Sequence, residues 1–302
     1  MDFLNKFDKQ QVQKITLIVI AALTVLALVL LLVIIIASVN PNLPGANDLV
    51  IEKNYYSDSN LTDYTLTEKD YKTGSLILAD AKHPYEVSEN LLDLVGCTEY
   101  MEAQPDATGV GSSNHAERNY VPWKVMRFSL PAMAEAHKML TAAKNAVDSS
   151  NPLTIDAAYD TIKHGQTTYE YNTAMLMLLS DFNSNGTTRV PLTEEYRKWF
   201  DEHAAEYGYI ESFEDAFRYV GVAHASTISG NADINTIELY IAFLKENTNQ
   251  NNVFMPEGGE YAVYYVACQA GDTVKVPKNV ESKDITISGT NEGGVIVTVK
   301  VK

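Results

Sequence analysis

Residues 199–244 read WFDEHAAEYGYIESFEDAFRYVGVAHASTISGNADINTIELYIAFL. The stretch opens inside a helix. Thr193 stands where an N-cap belongs, and Glu194 and Glu195 place negative charge at the positive end of the helix dipole. Tyr196, Trp199, Phe200, Ala204 and Tyr207 recur at helical spacing and make the buried stripe. Gly208 is placed to end it, because glycine accepts the left-handed conformation that closes a helix. The stretch closes in a second helix that starts near Asn235. Glu238 follows three residues later in capping-box fashion, and Ile237, Tyr240, Ile241 and Leu244 share an inner face.

Upstream, Ser129 caps a further helix with Pro131 in its first turn. Leu130, Met133, Ala136, Leu140, Ala143 and Val147 fall on one side of it. Residues 75–80 (SLILAD) fit a short strand closed by an HPY turn at residues 83–85. Downstream the character changes. Residues 261–268 (YAVYYVAC), 273–276 and 285–287 are strand-like, and Val295, Val297, Val299 and Val301 alternate with Ile296, Thr298 and Lys300. This predicts a mixed body over residues 74–248 and a small β appendage over residues 249–302.

Residues 15–39 (ITLIVIAALTVLALVLLLVIIIASV) carry no charge, proline or glycine. As a helix they would be about 37 Å long, against a hydrocarbon core of about 30 Å. A cleaved signal would have an apolar run of only about 7–15 residues. The run therefore predicts an uncleaved transmembrane helix. Lys6, Lys9 and Lys14 precede it, which puts residues 1–14 in the cytoplasm and the bulk of the chain outside a plasma membrane crossed once. Residues 40–73, polar and rich in Asn, Asp, Thr and Tyr, read as a stalk.

The formal charge of −16 argues against a nucleic-acid partner, whose phosphates would be repelled. Cys97 and Cys268 could pair or remain thiols; two cysteines do not make a disulfide scaffold. No C-x-x-C, H-E-x-x-H, G-x-S-x-G or Gly-rich phosphate loop occurs.

The piece R-Y-V-G-x-x-H-A at residues 218–225 carries a family resemblance, supported by the helix phrases around it and by G-S-L-I-L-A-D-A-K-H-P-Y at residues 74–85. Residues 74–247 resemble the VanY-type zinc D-alanyl-D-alanine carboxypeptidases. The resemblance implies an extracytoplasmic enzyme of cell-wall peptides. In that family a zinc held by His, Asp and His polarises the scissile carbonyl, a Glu activates water, and an Arg holds the terminal carboxylate.

Carried over residue by residue, the chemistry positions are altered. The family's S-x-H-x-x-G-x-x-x-D run falls on residues 172–181, where Asp181 keeps the acid but Ala174 stands for the His. The E-x-x-H before R-Y-V-G falls on Phe213 and Ala216, with Glu214 and Asp215 beside the Glu position but out of register. The substrate Arg falls on Asp160, a reversal of charge. A methyl group has no lone pair for a metal.

The expectation is an α+β fold, a small antiparallel sheet flanked by helices, preceded by the transmembrane helix and followed by the β appendage. Its relict cleft would hold Asp160, Asp181, Arg218 and Tyr219. The expected function is a non-catalytic, membrane-anchored domain that binds a peptidoglycan stem peptide or a cell-envelope partner, with no cofactor. The alternative is an active zinc carboxypeptidase with relocated ligands drawn from His164, Asp181 and His224. A third reading is a tethered scaffold that pairs through the β tail.

Overall fold

The computed structural model describes residues 49–107, 118–147, 152–159, 169–182 and 188–302. All of them belong to the second of the chain's two units, Asn47–Lys302. The first elements are β1 (Val50–Glu52), β2 (Leu61–Thr65), α1 (Glu68–Lys72), β3 (Leu94–Gly96), α2 (Cys97–Glu102), β4 (Tyr120–Pro122) and β5 (Arg127–Ser129). There follow α3 (Leu130–Val147), β6 (Leu153–Ala157), β7 (Leu176–Phe182), β8 (Arg189–Val190), α4 (Glu194–His203), β9 (Tyr209–Phe213) and β10 (Ala216–Tyr219). The last are α5 (Val222–Gly230), α6 (Ile237–Asn247), β11 (Val253–Met255), β12 (Tyr261–Ala267), β13 (Thr273–Pro277), β14 (Ile285–Gly289) and β15 (Gly294–Lys300).

A six-stranded sheet carries the middle of the chain, in the order β4-β6-β7-β10-β9, with β8 on the end of β7. Its pairings are antiparallel except β4 with β6, which run parallel. Parallel neighbours need a crossover, and the segment holding β5 and α3 provides it. Along α3, Ala132, Met133, Ala136, Met139, Leu140 and Ala143 are buried. They share one apolar cluster with Met177, Leu179 and Phe217 of the sheet. The Tyr209 hydroxyl donates to the Ala132 carbonyl at 2.6 Å and ties β9 to the helix. Beside it, the Thr193 side chain accepts from Tyr196 N to cap α4, and Gly208 at φ 82° closes the turn that follows.

A second sheet, β1-β11-β12-β15-β14, is wholly antiparallel. Its strand β15 is buried on both faces. Val295, Val297 and Val299 enter one cluster with Tyr264 and Val274. Ile296 enters another with Leu76, Leu78, Tyr240, Ile241 and Phe254.

The expected fold is therefore corrected from α+β to a mixed α/β arrangement, because the central sheet contains a parallel pair closed by a helical crossover. The tail is no appendage. Its sheet takes β1 from the front of the unit and shares a core with α6. Among the described residues no helix is long and apolar enough to cross a membrane. Residues 15–39, for which the sequence predicts the spanning helix, lie outside the described residues. The stretch read as a stalk carries β1, β2 and α1, the last with a Thr67–Asp70 capping box. Cys97 and Cys268 are free thiols.

Residues 75–80 do not form the expected strand. Their backbone groups are satisfied elsewhere. Leu76 N donates to Ser288 Oγ at 2.9 Å, Leu78 N to the Thr290 carbonyl at 3.2 Å, and Arg218 Nη2 to the Ser75 and Ile77 carbonyls at 3.3 Å.

Candidate active-site face

Paired residues of adjacent strands share a face, and faces alternate along a strand. Ala216 pairs with Leu178 and Phe217 with Met177. Ala216 thus projects with Leu178 and Ser180. Asp181 projects with Met177, Leu179 and Phe217, toward α3. Asp181 is buried, and its Oδ1 accepts from Phe182 N at 2.7 Å. Burial pushes its carboxyl above the usual range, opposed by that hydrogen bond and by the charge of Lys144.

The other family positions are similarly dispersed. Ala174 is buried at φ 59° against Leu92 and Tyr159, and its carbonyl accepts from Ser129 N at 2.8 Å. Phe213 is exposed at the end of β9. Arg218 is fully buried and donates to Thr173 Oγ1 as well as to the two carbonyls named above. Tyr219 packs its ring 5.3 Å from that of Tyr209, on the α3 side. Asp160 and His164 lie outside the described residues. The expected cleft of Asp181, Arg218 and Tyr219 is thus spread over both faces of the sheet.

These residues do not fit a zinc ion. Two positions are alanine, and the one carboxylate kept faces away from Ala216. His224 is no replacement. Its Nδ1 lies 3.0 Å from the Tyr240 hydroxyl and its Nε2 lies 3.1 Å from Thr298 Oγ1, inside the second core. Among the described residues no group of three His, Cys, Asp or Glu is placed to hold a metal.

What the sheet does bring together is a different set. On the Ala216 side, Asp156, Leu178, Ser180, Arg189, Glu214 and Asp215 wall a cleft of about 370 Å³. Arg189 Nη1 lies 2.6 Å from Asp156 Oδ1, and its guanidinium sits 3.8 Å over the Trp123 ring. Arg197 Nη2 reaches Asp215 Oδ2 at 2.9 Å and Glu214 Oε1 at 3.0 Å. Leu192 N also donates to Asp215 Oδ2, at 3.2 Å. Asp215 holds φ 61° in the β9–β10 turn, a left-handed conformation that aspartate tolerates.

Sequence reasoning saw Glu214 and Asp215 only as neighbours of the lost Glu position. It missed Asp156, Ser180, Arg189 and Arg197. The one available signal was the pair of acids at the hairpin ahead of R-Y-V-G.

No family model matches the chain. It is 25% identical over 265 residues to a D-alanyl-D-alanine carboxypeptidase of Enterococcus faecium, a match covering 82% of each chain. Its fold is similar to that of VanXYg, a vancomycin-resistance D,D-dipeptidase solved in complex with a D-Ala-D-Ala phosphinate analogue. That match has a TM-score of 0.56 and 17% identity, and covers 80% of this chain and 99% of the other.

Proposed function

The chain is a VanY-like relative of the D-alanyl-D-alanine carboxypeptidases, and from that premise we propose that it is a catalytically inactive domain that binds a peptidoglycan stem peptide or a cell-envelope partner. One observation carries the reading. The positions that pack keep their types, while those that do the family's chemistry do not. The rings of Trp199 and Tyr207 pack 6.2 Å apart, tilted, against the first core, and Val220 is buried in the second. Ala174 and Ala216 offer no lone pair, and Phe213 offers no base. The place of action proposed is the outer side of the plasma membrane. The uncharged run of residues 15–39 with lysines before it supports that location.

The test uses the purified full chain and a diacetylated lysyl-D-alanyl-D-alanine peptide. Calorimetry should give saturable binding, and a D-alanine assay should give no release above the uncatalysed rate. Release abolished by a chelator would establish the zinc enzyme with relocated ligands instead. Absence of release, and of binding by both this peptide and its free-amine form, would remove the peptide from the proposal.

A further inference from the structure

Among the described residues, the cleft beside Ala216 gathers several buried polar atoms that lack hydrogen-bond partners, with Arg197 Nε a further unpartnered atom beside them. Asp215 and Ser180 are 6% and 5% exposed, yet Asp215 Oδ1 and Ser180 Oγ have no hydrogen-bond partner. The hydroxyl of Thr154, the ladder partner of Ser180 on β6, is likewise unpartnered. Asp156 Oδ1 touches Arg189 at 2.6 Å without the alignment of a hydrogen bond. Buried polar atoms without partners are rare in folded chains, because each forfeits its hydration. Several at one cleft mark a place where donors arrive with a ligand.

We propose that this cleft binds a primary ammonium group carried by a peptide, with Asp215 Oδ1, Ser180 Oγ and Asp156 as its acceptors. The inference rests on the peptide-binding reading above and names the group that the peptide presents.

The second argument is charge. Among the described residues, Asp156, Glu214 and Asp215 bring three negative charges to the cleft, and Arg189 in its wall and Arg197 behind Asp215 bring two positive ones, which leaves one negative charge. One monovalent cation balances it. A divalent metal would be held by carboxylates already engaged by two guanidinium groups, whose repulsion it would meet at close range. An ammonium also carries three N–H donors, the number needed for three acceptor sites.

The third argument is pre-organisation. Arg197 and Leu192 N hold Oδ2 of Asp215, which fixes the carboxylate and leaves its other oxygen free. The remaining wall, Leu178, Val190 and Pro191, is apolar and suits a methylene chain leading to the charge. A peptide can supply the ammonium from a diamino-acid side chain or from its N-terminus.

The test compares two peptides on the full chain by calorimetry. One is Nα-acetyl-lysyl-D-alanyl-D-alanine, with a free side-chain amine, and the other is its diacetylated form. The free amine should bind about tenfold more tightly, and Ser180→Ala and Asp215→Asn should each erase the difference. Ser180→Ala removes an unpartnered hydroxyl, so its melting temperature should not fall, which separates lost recognition from lost folding. A parallel pair, D-alanyl-D-alanine and its N-acetyl form, reports the terminal amine. A preference in either pair that both variants abolish supports the site and identifies its source. Equal affinities within both pairs would overturn the ammonium site and leave peptide binding standing. A preference that survives both variants would place the amine elsewhere and overturn it too. If neither peptide of either pair binds, the peptide-binding half of the parent reading fails with it.

Discussion

His224 on α5 and Thr298 on β15 meet at 3.1 Å, Nε2 to Oγ1, and the other ring nitrogen is engaged by Tyr240 on α6. The contact joins a helix of the carboxypeptidase-like stretch to the last strand of the chain. Burial alone pulls this imidazole down to about 3. In the unfolded chain a histidine titrates near ~6.5. The folded value is depressed, so the stabilisation is complete above the unfolded value and is lost as pH falls from about 6.5 toward 3. Between pH 7 and pH 5 this group should remove about 2 kcal/mol. Urea unfolding at the two pH values measures the loss, and His224→Gln should flatten that part of the pH dependence. An unchanged slope in the variant would mean that the buried neutral ring is not its source.

Deletion of residues 250–302 should unfold the rest of the chain. Phe254, Val263, Tyr265 and Ile296 share one apolar cluster with Leu76, Leu78, Tyr240 and Ile241. Large-to-small changes in such cores cost about 2–5 kcal/mol each, and the deletion removes several side chains at once. The truncated chain should lose its near-ultraviolet dichroism and its cooperative melt. A sharp melt in the truncated chain would restore the picture of a separate tail and, with it, the tethered-scaffold reading.

Gly289 tests a close approach rather than a backbone angle. A Cβ there would collide with the backbone carbonyl of Tyr71, and Gly289 N donates to the Thr73 carbonyl at 2.8 Å. Gly289→Ala should cost about 3 kcal/mol, since a main-chain neighbour cannot step aside as a side chain can. Gly271 is the opposite case. It has φ 89° and open space around it, so Gly271→Ala should cost only the conformational strain, about 1 kcal/mol. Chemical denaturation of both variants separates the two effects. Equal costs would show that the approach of α1 to β14 is not tight.

Local chemistry was readable and assembly was not. Thr193 caps its helix as the sequence predicts, while the α-helix ends at His203 and Gly208 closes the 3-10 turn of Ala204–Tyr207 that follows; a cap and a left-handed terminus depend on a few adjacent residues. The helix expected near Asn235 is capped by Thr236, whose side chain accepts from Leu239 N. The apolar run at residues 75–80 has the composition of a strand, but composition does not say where backbone groups find partners, and Arg218 and Ser288 take them. The alternation of Val295, Val297 and Val299 with Ile296 and Thr298 marks a strand, but does not say that it lies between β12 and β14 and buries both faces. Asp156, Ser180 and Asp215 come from three elements far apart in sequence. Their convergence is set by strand register, which no local pattern encodes.

Register also decides whether the family's metal site can be rebuilt. Placing the family's residues at the corresponding positions, Ala174→His, Phe213→Glu and Ala216→His, would give a His, Asp, His set with Asp181 by sequence alone. On β7, however, Asp181 points with Met177 and Leu179 into the α3 core, while Ala216 points with Leu178 and Ser180 to the other side. A strand's side chains alternate, so a one-residue offset puts a ligand on the wrong face. The triple variant should therefore hold well under one equivalent of zinc after dialysis, measured by elemental analysis. Adding Ser180→Asp places a carboxylate on the face of Ala216, but residue 174 lies beyond the far end of β7, where residues 176–180 alone span about 13 Å, so zinc content should still stay below one equivalent. Stoichiometric zinc in the triple variant, lost again on Asp181→Ala, would show that Asp181 reaches the Ala216 face and that the strand register described above is in error.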